Sequence, residues 1–307
     1  MSGSGLRRRK LTDAPAPAGI PRRLPQQYQS YDWPAVAGPF VALGHAFVLR
    51  ANRPQLLDAL ATVLEPMATD AITDQAATYS IIETDDPEYH YLMFHGDGRI
   101  AAVPHFARIV AGLFWYLNRQ LAADPPDGHV VLHAGAVARD NHALALPGAS
   151  GSGKSTLVAR LVADGWGYLT DELSVIDGRG TVTRYAKPIT LKPGSFHLWP
   201  EVVPPRWPGP HDPEQHWQLP VTAIGGSLAV ASSLSAVVFP TYDGRCPNEL
   251  EPLPPDRAIN LLLEHSFAAS DPTVRVRQLA AIARRATCHR LRFNSLDWAS
   301  EQVLRLV

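Results

Sequence analysis

The run Gly148-Ala149-Ser150-Gly151-Ser152-Gly153-Lys154-Ser155-Thr156 carries the residue types a phosphate needs, in the spacing G-x-x-x-x-G-K-[ST]. Three glycines let the backbone curl so that successive N–H groups point inward at phosphate oxygens. A helix beginning at the end of the run adds its partial positive charge. Lys154 would reach the β- and γ-phosphates of a nucleoside triphosphate, and the Ser155 hydroxyl would hold Mg²⁺. Phosphoryl transfer from such a nucleotide also needs a second metal ligand and a group that takes the acceptor's proton. The adjacent carboxylates Asp171 and Glu172 suit both tasks, and otherwise read as a helix cap or a surface pair. His133, between Val130-Val131-Leu132 and Ala134-Gly135-Ala136, reads either as a satisfied core histidine or as a catalyst. Lys187 and Lys192 read as a clamp for phosphate or carboxylate, or as solvated side chains.

Those residues require particular elements around them. The apolar Ala143-Leu144-Ala145-Leu146 predicts a strand entering the loop, and residues 156–162 predict a helix leaving it. Residues 129–137 and 142–146 predict a hairpin turning through Arg139-Asp140-Asn141. Tyr168-Leu169 forms a short strand that delivers Asp171 and Glu172 to its end, where an open α/β sheet places ligands. Residues 193–220 hold eight prolines together with Phe196, Trp199, Trp207 and Trp217, which predicts a folded flap over the site. Helices are expected at 255–265, 271–285 and 297–306, with a strand at 289–293.

Upstream, residues 40–43, 46–49, 78–82 and 89–94 read as strands, with Asp85-Asp86-Pro87-Glu88 as a turn. Residues 54–64 and 105–122 read as helices. The expected organisation is a flexible leader (1–37), a small α/β domain (38–126) and a phosphate-loop α/β domain (127–307).

The chain has 307 residues and a formal net charge of −1, too small a field to draw nucleic acid or an anionic membrane to the whole surface. Arg7-Arg8-Arg9-Lys10 reads as a solvated tail, and no apolar run follows it, so no secretory signal is expected and the cytoplasm is the expected compartment. Residues 215–242 contain no Asp, Glu, Lys or Arg but are too weakly apolar for a bilayer span, and read as a loop leading into a buried strand at 235–239. Cys246 and Cys288 lack the spacing of a zinc site.

His133-Ala134-Gly135, the loop from Gly148 to Ser155 and the pair Asp171-Glu172 together resemble the kinase domain of HPr kinase/phosphorylase. The wider set of HPr-kinase-related proteins is similar also through Tyr168-Leu169-Thr170-Asp171-Glu172, through Lys187-Pro188-Ile189-Thr190-Leu191-Lys192 and through the Arg-Leu-Arg-Phe strand at 290–293. The resemblance covers residues 129–307. It implies a kinase domain of the type shared with phosphoenolpyruvate carboxykinase, using ATP and Mg²⁺ and transferring the γ-phosphate to a serine hydroxyl. It implies a general base at Asp171, metal ligands at Ser155 and Glu172, and an active-site histidine at His133. Its second carboxylate is an aspartate where this chain has Glu172, and its arginine-containing peptide-docking segment has no counterpart after Leu219-Pro220-Val221. Related kinases act in pathways that modify peptides, so the expected acceptor is a peptide or small protein, or a small hydroxyl metabolite. Families of this type form rings, which implies a homo-oligomer. The competing expectation is a nucleotide-binding regulatory or scaffold protein that hydrolyses ATP slowly.

Overall fold

The computed structural model describes residues 20–71, 76–86, 88–268 and 271–306. The chain is mixed α/β, with two large sheets and a small one.

The first sheet has five strands in sequential order: β1 (Ala35–Ala42), β2 (His45–Ala51), β3 (Ala77–Glu83), β4 (Tyr91–His95) and β5 (Gly98–Val103). Neighbours are antiparallel except β2 and β3, which run parallel because α1 (Pro54–Leu64) crosses between them. Parallel neighbours need such a crossover. Pro54 starts α1, where its missing N–H costs nothing. Leu56, Leu57, Leu60, Val63 and Leu64 recur at helical spacing and are buried. The long α2 (Phe106–Ala123) buries a second such stripe, including Phe106, Ile109, Val110, Leu113 and Leu117.

The second sheet has nine strands. In chain order they are β6 (Val130–Arg139), β7 (His142–Pro147), β8 (Gly167–Thr170), β9 (Leu173–Ile176), β10 (Thr181–Thr183), β13 (Ser227–Leu228), β14 (Ser232–Tyr242), β15 (Glu249–Pro252) and β16 (Thr287–Phe293). The numbers left out belong to β11 (Ile189–Leu191) and β12 (Trp217–Leu219), which pair as a separate two-stranded ribbon. Strand β6 is long enough to serve two neighbourhoods. Its first half pairs with β9, and its second half pairs with β7 and β8. The hairpin β6–β7 turns through Asp140 and Asn141, both at positive φ, which short polar side chains tolerate. Helix α3 (Lys154–Ala163) follows β7 and packs Leu157, Val158, Leu161 and Val162 into the core. Helices α4 (Pro255–Glu264), α5 (Pro272–Arg285) and α6 (Leu296–Val303) complete the chain. Asp271 caps α5 by accepting from the N–H groups of Thr273 and Val274.

Three corrections to the expected organisation follow. Residues 20–37 are not a flexible leader: Leu24 is buried against Ile82, Leu92 and Phe94 with Tyr28 and Trp33 beside it, and β1 begins at Ala35. The earlier residues and Pro87, within the expected turn, lie outside the described residues. Second, the apolar cluster of the first sheet contains Val131, Leu173, Val175, Tyr185 and Ala186. Residues on both sides of 126/127 therefore fill one core. Third, residues 193–220 are folded, as expected, but are fastened to the first sheet's helix α2 as well as to the second sheet. Trp217 stacks on Phe196 at 3.9 Å, Trp207 packs near Phe106, and the buried Asp212 takes a two-pronged bond from Arg108 of α2, at 2.7 and 3.3 Å. This segment is a strap across the two sheets.

Among the described residues no helix is long and apolar enough to cross a membrane. The strand expected at 235–239 is the centre of β14.

Replacing Leu24 tests the docked N-terminal residues directly. Leu24 is 3% exposed, and Leu24→Ala should cost about 2–5 kcal/mol in urea unfolding, as for other buried leucines. A midpoint unchanged from the parent chain would return these residues to a flexible leader.

Candidate functional site

The turn from Gly148 to Gly153 joins the end of β7 to the start of α3. Gly151 and Gly153 both sit at positive φ, +91° and +92°, and a Cβ on Gly153 would stand 2.9 Å from the Phe293 ring. The N–H groups of Gly151, Gly153, Lys154, Ser155 and Thr156 donate to no backbone carbonyl among the described residues. The first turn of a helix leaves such donors over. Here they are gathered by the glycine turn into one array at the positive end of α3. The Ser152 hydroxyl is buried beside them without a partner among the described residues, and a Cβ on Gly148 would come 2.6 Å from it.

Lys154 is 6% exposed and its ammonium donates to the carbonyls of Gly148 and Ala149 at 2.7 and 2.9 Å, with His133 Nε2 at 3.3 Å. Burial brings Lys154 down to about 8, opposed by the charges of Glu172 and Asp171. His133 stands on β6, whose amide N–H at Ala134 bonds to the carbonyl of Glu172. Burial, the Lys154 charge and then His265 push His133 down to about 4. The ring is neutral at pH 7, so Nε2 accepts from Lys154 and the ring proton sits on Nδ1, 3.9 Å from Glu172 Oε1. Burial raises the Glu172 carboxyl above its ordinary range, partly offset by Lys187 and Lys154. From the other side, Lys192 donates to the Ser150 hydroxyl at the tip of the loop, at 2.8 Å.

Loop, Lys154, His133, Glu172 and Lys192 thus converge. Asp171 does not join them. Its side chain is wholly buried: Oδ1 meets Lys187 Nζ at 2.5 Å and accepts from the Tyr168 hydroxyl at 3.0 Å, while Oδ2 accepts from the Thr190 N–H at 2.9 Å. Lys187 spends its other two protons on the Pro188 carbonyl and the Thr190 hydroxyl, and Thr190 donates onward to Gln218. Lys187 is therefore neither a solvated side chain nor a clamp reaching a ligand. Among the described residues no three His, Cys, Asp or Glu side chains gather as a metal cage. A phosphate-bound Mg²⁺ draws on only one or two protein ligands. The Ser155 hydroxyl at the start of α3 and the Glu172 carboxylate are of the right hard-oxygen type.

Residue types alone left Lys187 ambiguous and gave no role to Tyr168, Thr190 or Gln218. The available signal was a lysine between Ala186 and Pro188-Ile189: a cation inside an apolar run is buried only with a partner.

No protein-family model matches this chain, and no curated protein matches it in sequence.

Two outcomes test this geometry. Lys187→Ala leaves the Asp171 charge buried and unpaired, and should cost about 3–5 kcal/mol in urea unfolding. Asp171→Asn with Lys187→Met removes both charges and should cost less than that single change; equal losses would mean the two charges do not depend on each other. His133 should titrate by NMR near pH 4, well below its ordinary 6.5, and Lys154→Met should raise that midpoint. Because the folded value lies below the unfolded one, the contribution of His133 to stability is present above about pH 6.5 and is lost as pH falls toward 4. A midpoint at 6.5 in the parent chain would place His133 in open solvent instead.

Proposed function

We propose that this chain is an ATP- and Mg²⁺-dependent kinase that transfers the γ-phosphate to a hydroxyl, that of a serine in a peptide or small protein, and that residues 127–307 form a phosphate-loop domain of the HPr-kinase type. The observation that carries the reading is the array of N–H groups of Gly151, Gly153, Lys154, Ser155 and Thr156, unpaired among the described residues, with Lys154 at its mouth and Glu172 opposite. Such an array favours an anion with several oxygens.

In this reading the loop amides and Lys154 hold the β- and γ-phosphates, and Lys192, which donates to Ser150 at the loop tip, adds a positive charge beside them. Mg²⁺, bound through Ser155, would neutralise charge between the phosphates and leave the Glu172 carboxylate to the acceptor. The acceptor oxygen forms a bond to the γ-phosphorus as the bond to the β,γ-bridging oxygen breaks, and ADP leaves. The acceptor's proton needs a base within hydrogen-bond reach. Asp171, the base expected from the resemblance, is held by Lys187, the Tyr168 hydroxyl and the Thr190 N–H, and its side chain is buried away from the site. Glu172 is open to the site, and its raised pKa brings it closer to the range of an effective base at neutral pH. We assign proton acceptance to Glu172, with Asp171 as a positioning residue that fixes the turn on which Glu172 stands. His133, neutral and directed at Lys154, aims that ammonium without adding a charge of its own.

Incubation with γ-labelled ATP and candidate peptides, followed by mass spectrometry, tests the activity. Lys154→Ala should lower transfer by about 10²–10³-fold, the scale of a lost oxyanion donor. Glu172→Gln should slow transfer by about 10²–10⁴-fold while ATP binding, measured by calorimetry, persists. Full transfer by Lys154→Ala would end the phosphate-loop reading. Full transfer by Glu172→Gln with loss in a folded Asp171→Asn would return the base to Asp171. ATP hydrolysis that no acceptor accelerates would favour the regulatory or scaffold alternative.

A further inference from the structure

We infer that the free edge of β1 and the flank of α1 form a docking groove for an extended basic peptide, which pairs with β1 as an added strand. Strand β1 is the outermost of its sheet. An edge strand presents alternate backbone N–H and C=O groups to whatever lies beside it. The second half of this edge is already covered: Thr69 donates to the Pro39 carbonyl and Phe40 bridges to Ala68. Residues 35–38 make no backbone bond on that side among the described residues. Edges are normally protected by charge, proline or a bulge. Here the open part carries Val36, 66% exposed, and the break at Gly38-Pro39 lies beyond it.

Beside this open edge lies a groove of about 360 Å³ between β1 and α1. Small side chains make it: Ala35 and Ala37 on the strand and Ala61 on the helix leave space that larger residues would fill. Its rim carries Asp58 on α1 and Glu65 just past the end of α1, both exposed and without an ion-pair partner among the described residues. An extended main chain satisfies the open edge, alternate apolar side chains fill the groove, and lysine or arginine meets the two carboxylates. This is how peptides join a sheet between its edge strand and a helix. The surface is also connected to the candidate site. Val63 at the end of α1 and Pro66 just after it lie against Lys187 and Pro188, the segment that holds Asp171. The inference goes beyond the kinase reading, since it names a peptide surface apart from the phosphate loop.

Selection from a random peptide library on the full chain, without nucleotide, tests it independently of phosphate transfer. The expected winners are segments of about 6 residues with alternating apolar positions and a lysine or arginine. Ala61→Arg, which fills the groove, should weaken a winner at least about tenfold, as should N-methylation of alternate peptide amides. Asp58→Lys with Glu65→Lys should shift selection to acidic peptides, and basal ATP hydrolysis should be unchanged. Val36→Lys, on the exposed edge, serves as a second variant should Ala61→Arg lose its circular dichroism spectrum. Winners indifferent to these changes and to N-methylation, the absence of winners, or an edge closed by a second copy in sedimentation would each overturn the proposal. Loss of phosphate transfer with peptide binding intact would count against the kinase and not against the groove.

Discussion

The contact between Asp171 and Lys187 sets the terms for everything around the candidate site. Two charges without solvent exposure are costly to bury, and the cost is met only if every remaining proton and lone pair finds a partner. That requirement fixes Tyr168 in β8, Thr190 in β11 and Gln218 in β12 relative to one another. Burial and the neighbouring Asp171 also hold the Tyr168 hydroxyl protonated well above its ordinary range, which keeps it a donor. The small β11–β12 ribbon is thereby fastened to the end of β8, and Lys192, one residue past β11, reaches Ser150 in the glycine-rich turn. A pair that contributes little net stability can still dictate geometry in this way.

A division of labour between neighbours follows from the strand ending at Thr170. Successive side chains at such a turn point to different surroundings, so Asp171 enters the interior while Glu172 faces His133 and Lys154. Glutamate in the second position gives that carboxylate one more methylene of reach. The two acids have unlike environments, and unlike environments are what separate the roles of paired carboxylates in proton transfer.

Much of this was legible in the residues. The glycine spacing, the hairpin feeding the loop and helix α1 are local features, and local chemistry decides them. Strand β5 escaped notice because Gly98-Arg99-Ile100-Ala101-Ala102-Val103 has no clear alternation, and β15 because Glu249-Leu250-Glu251-Pro252 reads as a polar turn. Only pairing with β4 and β16 makes strands of them. Residues 20–34 lack any period because they are held by single anchors, Leu24 and the ring cluster of Tyr28, Tyr31 and Trp33. Aperiodic sequence with well-spaced aromatics reads as a loose tail until a surface is found for it. The roles of Asp171 and Lys187 were hidden for a different reason, since pairing across 16 residues of sequence depends on how the sheet is assembled.

The apolar cluster shared across residue 126 bears on what counts as a part of this molecule. Val131, Leu173, Val175 and Tyr185 complete a core whose other members belong to α1, α2 and the first sheet. A chain beginning at 127 would turn those four side chains toward water, and one ending there would lose a wall of its interior. The unit of cooperative melting is then larger than the unit of sequence resemblance. Heat or denaturant should register one transition where the chain's motif boundaries suggest two.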